Sequence, residues 1–373
     1  MYYDYEEMAN LPALARAGHV AHLQRCLNGL PHSQTEVDAS KMALAFYCIG
    51  SLDLLGLFHE KTKEHDRASW REWIWQQQTH GRYGSGFRPS PFMTATLNTP
   101  DETYTDYDTP HLIMTYTALT SLTRYLPRRL FSAGPQGAAR LHTDVARARL
   151  CGWELGFCIV PGSNETDLRS LYCAFAISAM LDDWSAIDMR RAIGYIASCR
   201  TYEGGYGQAP FCEAQGGTTY IAIASLHLVP GLSKPPMTPA ERQLTIHWLI
   251  SNYHPSGGFC GRTGKDADAC YCFWCGAALH ILGAGDLVDT LSLARFLASC
   301  QFKYGGIAKA PGEHPDPYHT YLSLAALSMY SPAPAMGNHV HAASWTFEPL
   351  DPLLNAREET ALWAKKYIPK PKT

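Results

Sequence analysis

Three residues of metal-binding type stand close to two cations in this chain. Asp268 and Cys270 lie two apart, behind the glycine-rich run Gly257 to Gly264, and His319 follows some fifty positions later. A carboxylate, a thiol and an imidazole form a mixed O, S, N set that suits zinc. Three protein ligands leave a fourth position open, the pattern of catalytic zinc. Taken singly, each has an ordinary reading: Asp268 as a helix N-cap, Cys270 as a core thiol, His319 as a hydrogen-bonded core histidine. Taken together, Asp-x-Cys-Tyr after one glycine turn and Asp316-Pro317-Tyr318-His319 after the next occupy equivalent places, and zinc becomes the favoured reading.

Zinc with an open position can acidify water or hold an incoming thiol as thiolate. Hydrolytic zinc usually comes with a glutamate base, as in His-Glu-x-x-His, and the chain has no such motif. The neighbours are cations instead. Arg262, Lys265 and Lys309 sit in the two loops that feed the ligands, and Tyr271 can donate a hydrogen bond. An arginine fork for oxygen pairs and lysine point charges match a diphosphate, although solvated loop charge is the plain alternative.

Those residues need a scaffold, and the pattern supplies paired helices. One series has charged faces: about 12–29, 67–78, 139–151, 188–199, 239–252 and 288–301. The other is apolar or small nearly all round, hence buried: about 42–56, 111–125, 168–181, 217–228, 270–282 and 318–330. Thr238-Pro239-Ala240-Glu241 reads as a helix start, with an N-cap, a proline at the first position and a capping-box glutamate. Glycine turns recur between partners, four of them at a spacing of about 50 residues, which marks an internal repeat. Six inner and six outer helices predict an all-α fold, an α/α toroid around a central apolar cavity. Every turn after an outer helix then opens on one rim. Trp274, Phe273, Tyr220, Tyr321, Phe46 and Tyr47 fall on the inner series and would line the cavity for a long apolar ligand.

Composition agrees. The chain has 373 residues, 46% of them hydrophobic, enough for one large core, and residues 1–373 read as a single domain. Residues 82–110, 125–140 and 331–337 read as surface loops, and 365–373 as a frayed tail. A net charge of −3 and a pI near 6.6 argue against nucleic acid as a partner. The 12 cysteines are scattered through apolar runs, as expected of free thiols in a reducing compartment. The acidic N-terminal run shows no secretory pattern, and no apolar run reaches the roughly 20 residues of a membrane span. A cytoplasmic protein without a membrane span is expected.

On these residues the chain resembles the beta subunits of protein prenyltransferases, most closely the type I geranylgeranyl enzymes. The resemblance runs from about His22 to Met329 and rests on four stretches. They are Gly-Arg-x-x-Lys-x-x-Asp-x-Cys-Tyr-x-Phe-Trp (Gly261 to Trp274), Gly216-Gly217-Thr218-Thr219, Asp167-Leu168-Arg169, and Gly-Gly-Ile-Ala-Lys-x-Pro-x-x-His-Pro-Asp-x-x-His (Gly305 to His319). It implies that Asp268, Cys270 and His319 bind one zinc ion, that Arg262, Lys265 and Tyr271 contact a diphosphate, and that Arg169 lines the cavity. Gln215 stands where the family commonly has a diphosphate-contacting histidine. His111 is as expected in the peptide pocket, whereas Ile113 and Ser170 differ from the small and aromatic residues expected there.

Two positions choose among relatives. Lys309 falls where the farnesyl and Rab enzymes carry an aspartate, tied in the farnesyl enzyme to magnesium; a lysine there implies magnesium-independent transfer. Ala43 falls where the farnesyl enzyme has a tryptophan, and a small residue implies room for a twenty-carbon chain. The resemblance thus implies geranylgeranyl transfer from its diphosphate to the cysteine thiol of Cys-aliphatic-aliphatic-X proteins, such as Rho-type small GTPases. A partner alpha subunit of helical hairpins would complete a heterodimer. The alternatives are a farnesyltransferase beta subunit, a terpene cyclase-like toroid, for which Asp266-Ala267-Asp268-Ala269 lacks the last carboxylate of Asp-x-Asp-Asp, or a non-catalytic prenyl-binding module.

Overall fold

The computed structural model describes residues 11–30, 32–81, 84–91, 109–125, 152–153, 156–160, 163, 165–232, 235–332 and 341–368. Helices dominate. The outer series comprises α1 (Arg16–Asn28), α4 (Glu64–Trp75), α7 (Met189–Ser198), α9 (Pro239–Ser251) and α11 (Thr290–Ser299). The inner series comprises α2 (Lys41–Leu54), α5 (Leu112–Leu122), α6 (Leu168–Leu181), α8 (Gly216–Leu228), α10 (Ala269–Ile281) and α12 (Pro317–Met329), and α3 (Phe58–Lys61) is a single turn between α2 and α4. Each inner helix packs on the next, and α12 returns to α2, so the six close a ring. The expected outer helix over 139–151 lies outside the described residues. The helix expected over 67–78 ends at Trp75, because Gln78–Gly81 (β1) pairs antiparallel with Gly84–Phe87 (β2); Gly152–Trp153 (β3) and Gly156–Phe157 (β4) form a second such pair.

Several helices start on strong local signals. Thr238 caps outer helix α9 with the full capping box, and Asp167 does the same for α6 with Ser170 as its reciprocal partner. Asp268 and Asp316 cap α10 and α12. Ser170 is fully buried, and its hydroxyl donates to the Asp167 carbonyl at 2.8 Å.

The repeat is visible atom by atom. The amides of Gly207, Cys260 and Ala308 donate to the carbonyls of Cys199, Asn252 and Cys300, and those of Gly204, Gly257 and Gly305 to Thr201, His254 and Phe302. Gly204, Gly257 and Gly305 share a left-handed φ of +104°, +92° and +94°. A side chain there would also strike the next outer helix: a Cβ on Gly305 would lie 1.9 Å from the carbonyl oxygen of Gly18 in α1. That contact closes the ring, since α1 serves as the outer wall for the last repeat. Buried His19 locks it, accepting from the Gly306 amide at Nδ1 and meeting Gln301 at Nε2.

Each of α5, α6, α8, α10 and α12 carries an aromatic as its fifth residue: Tyr116, Tyr172, Tyr220, Phe273 and Tyr321. With Phe46 and Tyr47 of α2 they form a continuous belt of ring contacts, with centroids 5.1 to 5.9 Å apart. Such pairs each contribute about 0.5–1.5 kcal/mol beyond the area they bury. The hairpin of Leu350–Asp351 (β7) and Ala356–Arg357 (β8) plugs the ring from the C-terminal ends of the inner helices, where the Glu348 amide meets the Leu54 carbonyl. Four belt hydroxyls hold its tip: Tyr220 donates to Pro352 O (2.8 Å), Tyr172 to Leu353 O (3.0 Å), Tyr116 to Leu354 O (2.8 Å) and Tyr321 to Asn355 O (2.6 Å). Belt and hairpin tip together fill the ring on the side of the helix C-termini. Buried Asp53 anchors the far side by accepting from Arg357 and Thr360. Thr360 lies in the first turn of a helix, α13 (Glu358–Tyr367), that sequence reasoning missed. That helix runs through the start of the expected frayed tail, and Lys365 pairs with Asp351 at 2.8 Å. Residues 369–373, like most of the loops expected over 82–110, 125–140 and 331–337, lie outside the described residues. No helix among the described residues is long and apolar enough to cross a membrane.

Candidate active site

Asp268 ends a short hairpin, Phe259–Cys260 (β5) with Ala267–Asp268 (β6), in which Phe259 faces Asp268. The hairpin delivers the carboxylate to the first turn of α10, where Oδ1 accepts from the Cys270 amide at 2.9 Å. Its cap role and its metal role use the same geometry. His319 comes from α12, and its Nε2 lies 3.5 Å from that Oδ1. One donor atom from each of Asp268, Cys270 and His319 lies within 4.8 Å of the others, so the three can share one metal ion. The set fits such an ion chemically as well. Asp316 accepts from His319 Nδ1 at 2.6 Å, leaving Nε2 as the donor toward the site.

The electrostatics of the metal-free cluster follow from that packing. Burial pushes the Cys270 thiol up, and the Asp268 carboxylate beside it pushes further in the same direction. Burial opposes charge on His319, but hydrogen bonds to Asp268 and Asp316 outweigh it and raise the imidazole to about 9. Burial likewise opposes ionisation of Asp268, yet His319 and Cys270 keep it below the ordinary carboxyl range. The protons a metal would replace are thus present in the metal-free protein.

The cations stand on the two loops that lead to this cluster. Arg262 and Lys265 lie on the turn of the β5–β6 hairpin, with the Lys265 amide bonded to the Arg262 carbonyl. Among the described residues Lys309 makes no side-chain hydrogen bond, but its carbonyl accepts from the Ala269 amide at 2.9 Å, which fixes its backbone beside Asp268. Lys265 and Lys309 are exposed and have no ion-pair partner among the described residues, whereas Arg262 pairs with Glu213 at 2.7 Å. Tyr271 packs over Gly261 and Gly216, and burial raises its hydroxyl so that it stays a donor. Half-buried Gln215 precedes α8 and makes no side-chain cap. Arg169 is held by Asp167 at 2.6 Å and Glu165 at 3.3 Å. His111 caps α5, and burial, with Arg169 nearby, lowers it to about 4, so it is neutral.

The apolar wall is narrower than expected. Phe273, Tyr220, Tyr321 and Phe46 are fully buried in the belt, while Trp274, Tyr47 and Ala43 are half-buried. Ala43 shares the inward face of α2 with Phe46 and Tyr47; a separate cavity of about 590 Å³ between α1, α2 and α4 is lined instead by Lys41, Leu44, Ala45 and Cys48. Sequence reasoning missed Tyr318, which accepts from Trp274 Nε1 at 3.0 Å and stacks edge-on against Tyr47. It also gave no role to Asp316, although an aspartate three before a histidine at a helix start is a usable signal.

Residues 14–356 match the family described as the prenyltransferase alpha-alpha toroid domain, and the chain belongs to that family. Among curated relatives it is 37% identical to the geranylgeranyl transferase type-1 subunit beta of Dictyostelium discoideum, over 82% of this chain and 88% of that one. It is 33% identical to the Arabidopsis thaliana subunit of the same name, over 83% and 84% of the two chains. The protein farnesyltransferase subunit beta of Schizosaccharomyces pombe is 28% identical, over 89% and 81%. Among solved structures, Candida albicans protein geranylgeranyltransferase-I complexed with GGPP superposes with a TM-score of 0.78 at 25% identity, covering 96% of this chain and all of that one.

Proposed function

We propose that this chain is the catalytic beta subunit of a type I protein geranylgeranyltransferase. It transfers a geranylgeranyl group from geranylgeranyl diphosphate to a cysteine thiol near the C-terminus of Cys-aliphatic-aliphatic-X proteins. The observation that carries this reading is the convergence of Asp268, Cys270 and His319, from two successive repeats, beside rim cations and above an aromatic belt. Two relatives named as type-1 beta subunits, at 33% and 37% identity, support it.

Zinc held by Asp268, Cys270 and His319 would supply positive charge that keeps an incoming thiol as thiolate near neutral pH. The chain does the rest. Asp316 fixes the tautomer and direction of His319. The substrate thiolate attacks C1 of the prenyl chain while the C1–O bond breaks and the diphosphate departs. Arg262, Lys265 and Lys309 neutralise the departing charge, and the protonated Tyr271 hydroxyl donates to it, the large electrostatic contribution in such reactions. Lys309 provides fixed charge where a carboxylate would recruit magnesium, so transfer proceeds without magnesium. Ala43 leaves the cavity wall open for the fourth isoprene unit. His111, Arg169, Gln215 and Trp274 line the substrate path. An alpha subunit completes the diphosphate site, giving a cytoplasmic heterodimer with one zinc ion that acts on Rho-type small GTPases among other proteins.

Chelator treatment of the heterodimer, made by co-expression with a prenyltransferase alpha subunit, tests the zinc requirement. Transfer is lost on chelation and returns with zinc; full activity at undetectable zinc would refute the reading.

A further inference from the structure

Of the three rim cations, one already has a counter-ion. Arg262 Nη1 meets Glu213 Oε2 at 2.7 Å, across the gap between the loop before α8 and the β5–β6 hairpin. Both side chains are largely solvated, at 41% and 60% exposure, so the pair contributes little to folding.

The loop is nevertheless built to present it. The Cys212 amide bonds to the Ala209 carbonyl at 3.1 Å, closing a tight turn. Phe211 sits in that turn at φ +67°, a left-handed conformation rare for an aromatic residue, with its ring wholly in solvent. A Cβ on Gly207 would fall 2.4 Å from the Cys212 carbonyl oxygen, so the turn also needs a glycine beneath it. The Gly216 amide bonds to the Gly261 carbonyl at 2.8 Å and clamps this loop to the hairpin that carries Arg262. Strain without burial of the strained side chain tends to mark a functional feature. Here its visible consequence is the placement of Glu213 against Arg262.

We infer that Glu213 is an internal counter-ion on Arg262, displaced by the incoming diphosphate, and so sets the affinity of the rim for diphosphate. This rests on the reading of Arg262 as a diphosphate ligand. In the empty rim Glu213 screens Arg262; on binding, the diphosphate takes over the guanidinium, and on product release the carboxylate takes it back. Glu213 is a positioning and affinity-setting residue that never touches the reacting atoms.

The test is calorimetric titration of the co-expressed heterodimer with geranylgeranyl diphosphate, inorganic pyrophosphate and geranylgeraniol. Glu213→Gln keeps shape and hydrogen bonding while removing charge. It should bind both phosphate ligands about two- to fivefold more tightly, the range expected for release of an exposed pair. The gain should shrink in high salt, and geranylgeraniol should bind unchanged. In an Arg262→Gln background the same change should do nothing, because the pair is already gone. Unchanged or weaker phosphate binding by Glu213→Gln overturns the inference, as does an equal gain in the Arg262→Gln background. If Arg262→Gln alone binds diphosphate like the parent, the underlying reading of Arg262 has failed instead.

Discussion

Asp316 Oδ2 accepts a hydrogen bond from His319 Nδ1 at 2.6 Å, and the imidazole is thereby turned so that Nε2 faces Asp268. The same Asp316 caps α12 by accepting from the His319 amide at 2.8 Å. One carboxylate therefore sets both where the helix starts and which ring nitrogen is offered to a metal. Asp316→Ala should weaken zinc binding by about 10- to 100-fold, read by competition against a chromophoric chelator. Parental affinity in that variant would mean that the ring is oriented by something else.

The protonated state of His319 gives the metal-free protein a pH signature. Its folded value of about 9 lies above the ordinary 6.5, because hydrogen bonds to Asp268 and Asp316 outweigh the cost of burial. A raised folded value stabilises the fold fully below the unfolded value, and that stability disappears as pH rises through about 9. In chelator, the melting temperature of the parent relative to His319→Gln should therefore fall between pH 6.5 and 9.5. A constant or rising difference would contradict this. Zinc loading should also grow stronger with pH across the same window, since the thiol of Cys270 and the imidazolium of His319 both surrender protons.

Adjacent glycines at the start of α8 should respond differently to alanine. A Cβ on Gly216 would lie 2.7 Å from Cys275 Sγ and 2.9 Å from the Tyr271 ring, whereas one on Gly217 finds only ordinary contacts near 3.9 Å. Gly216→Ala should destabilise by about 1–3 kcal/mol through overpacking and displace Tyr271. Gly217→Ala should melt like the parent, as thermal denaturation can check.

Ala43→Trp should convert chain-length preference. Ala43 shares a face of α2 with Phe46 and Tyr47 of the belt, and under the proposed function an indole there would occupy the space of the last isoprene unit. Five carbons at roughly 0.8 kcal/mol per CH₂ set an upper limit of about 4 kcal/mol on the preference lost. Competition between geranylgeranyl and farnesyl diphosphates should show at least a tenfold shift toward the shorter chain; an unchanged ratio would remove Ala43 from the specificity argument.

Much of this was legible before any coordinates. The repeated glycine turns and the two hydropathy classes of helix yield the ring, because all-round apolar helices can be satisfied only inside it. Asp268, Cys270 and His319 were legible because the repeat puts their helix starts on one rim. What escaped depends on contacts between distant segments. The tip at Pro352 to Asn355 is recognised by tyrosine hydroxyls from four helices, and no local pattern announces that use of its carbonyls. Glu213 and Arg262 meet only when two turns lie side by side, 49 residues apart in sequence. Ser170 shows the reverse case: its role in the capping box with Asp167 is local, an aspartate three before a serine at a helix start.

The most direct measurement offers the zinc-loaded heterodimer both prenyl diphosphates and a Cys-aliphatic-aliphatic-X peptide, with and without magnesium. The account predicts a geranylgeranylated thioether as the main product, formed at the same rate in either buffer. A strict magnesium requirement, or preferential farnesylation, would contradict it.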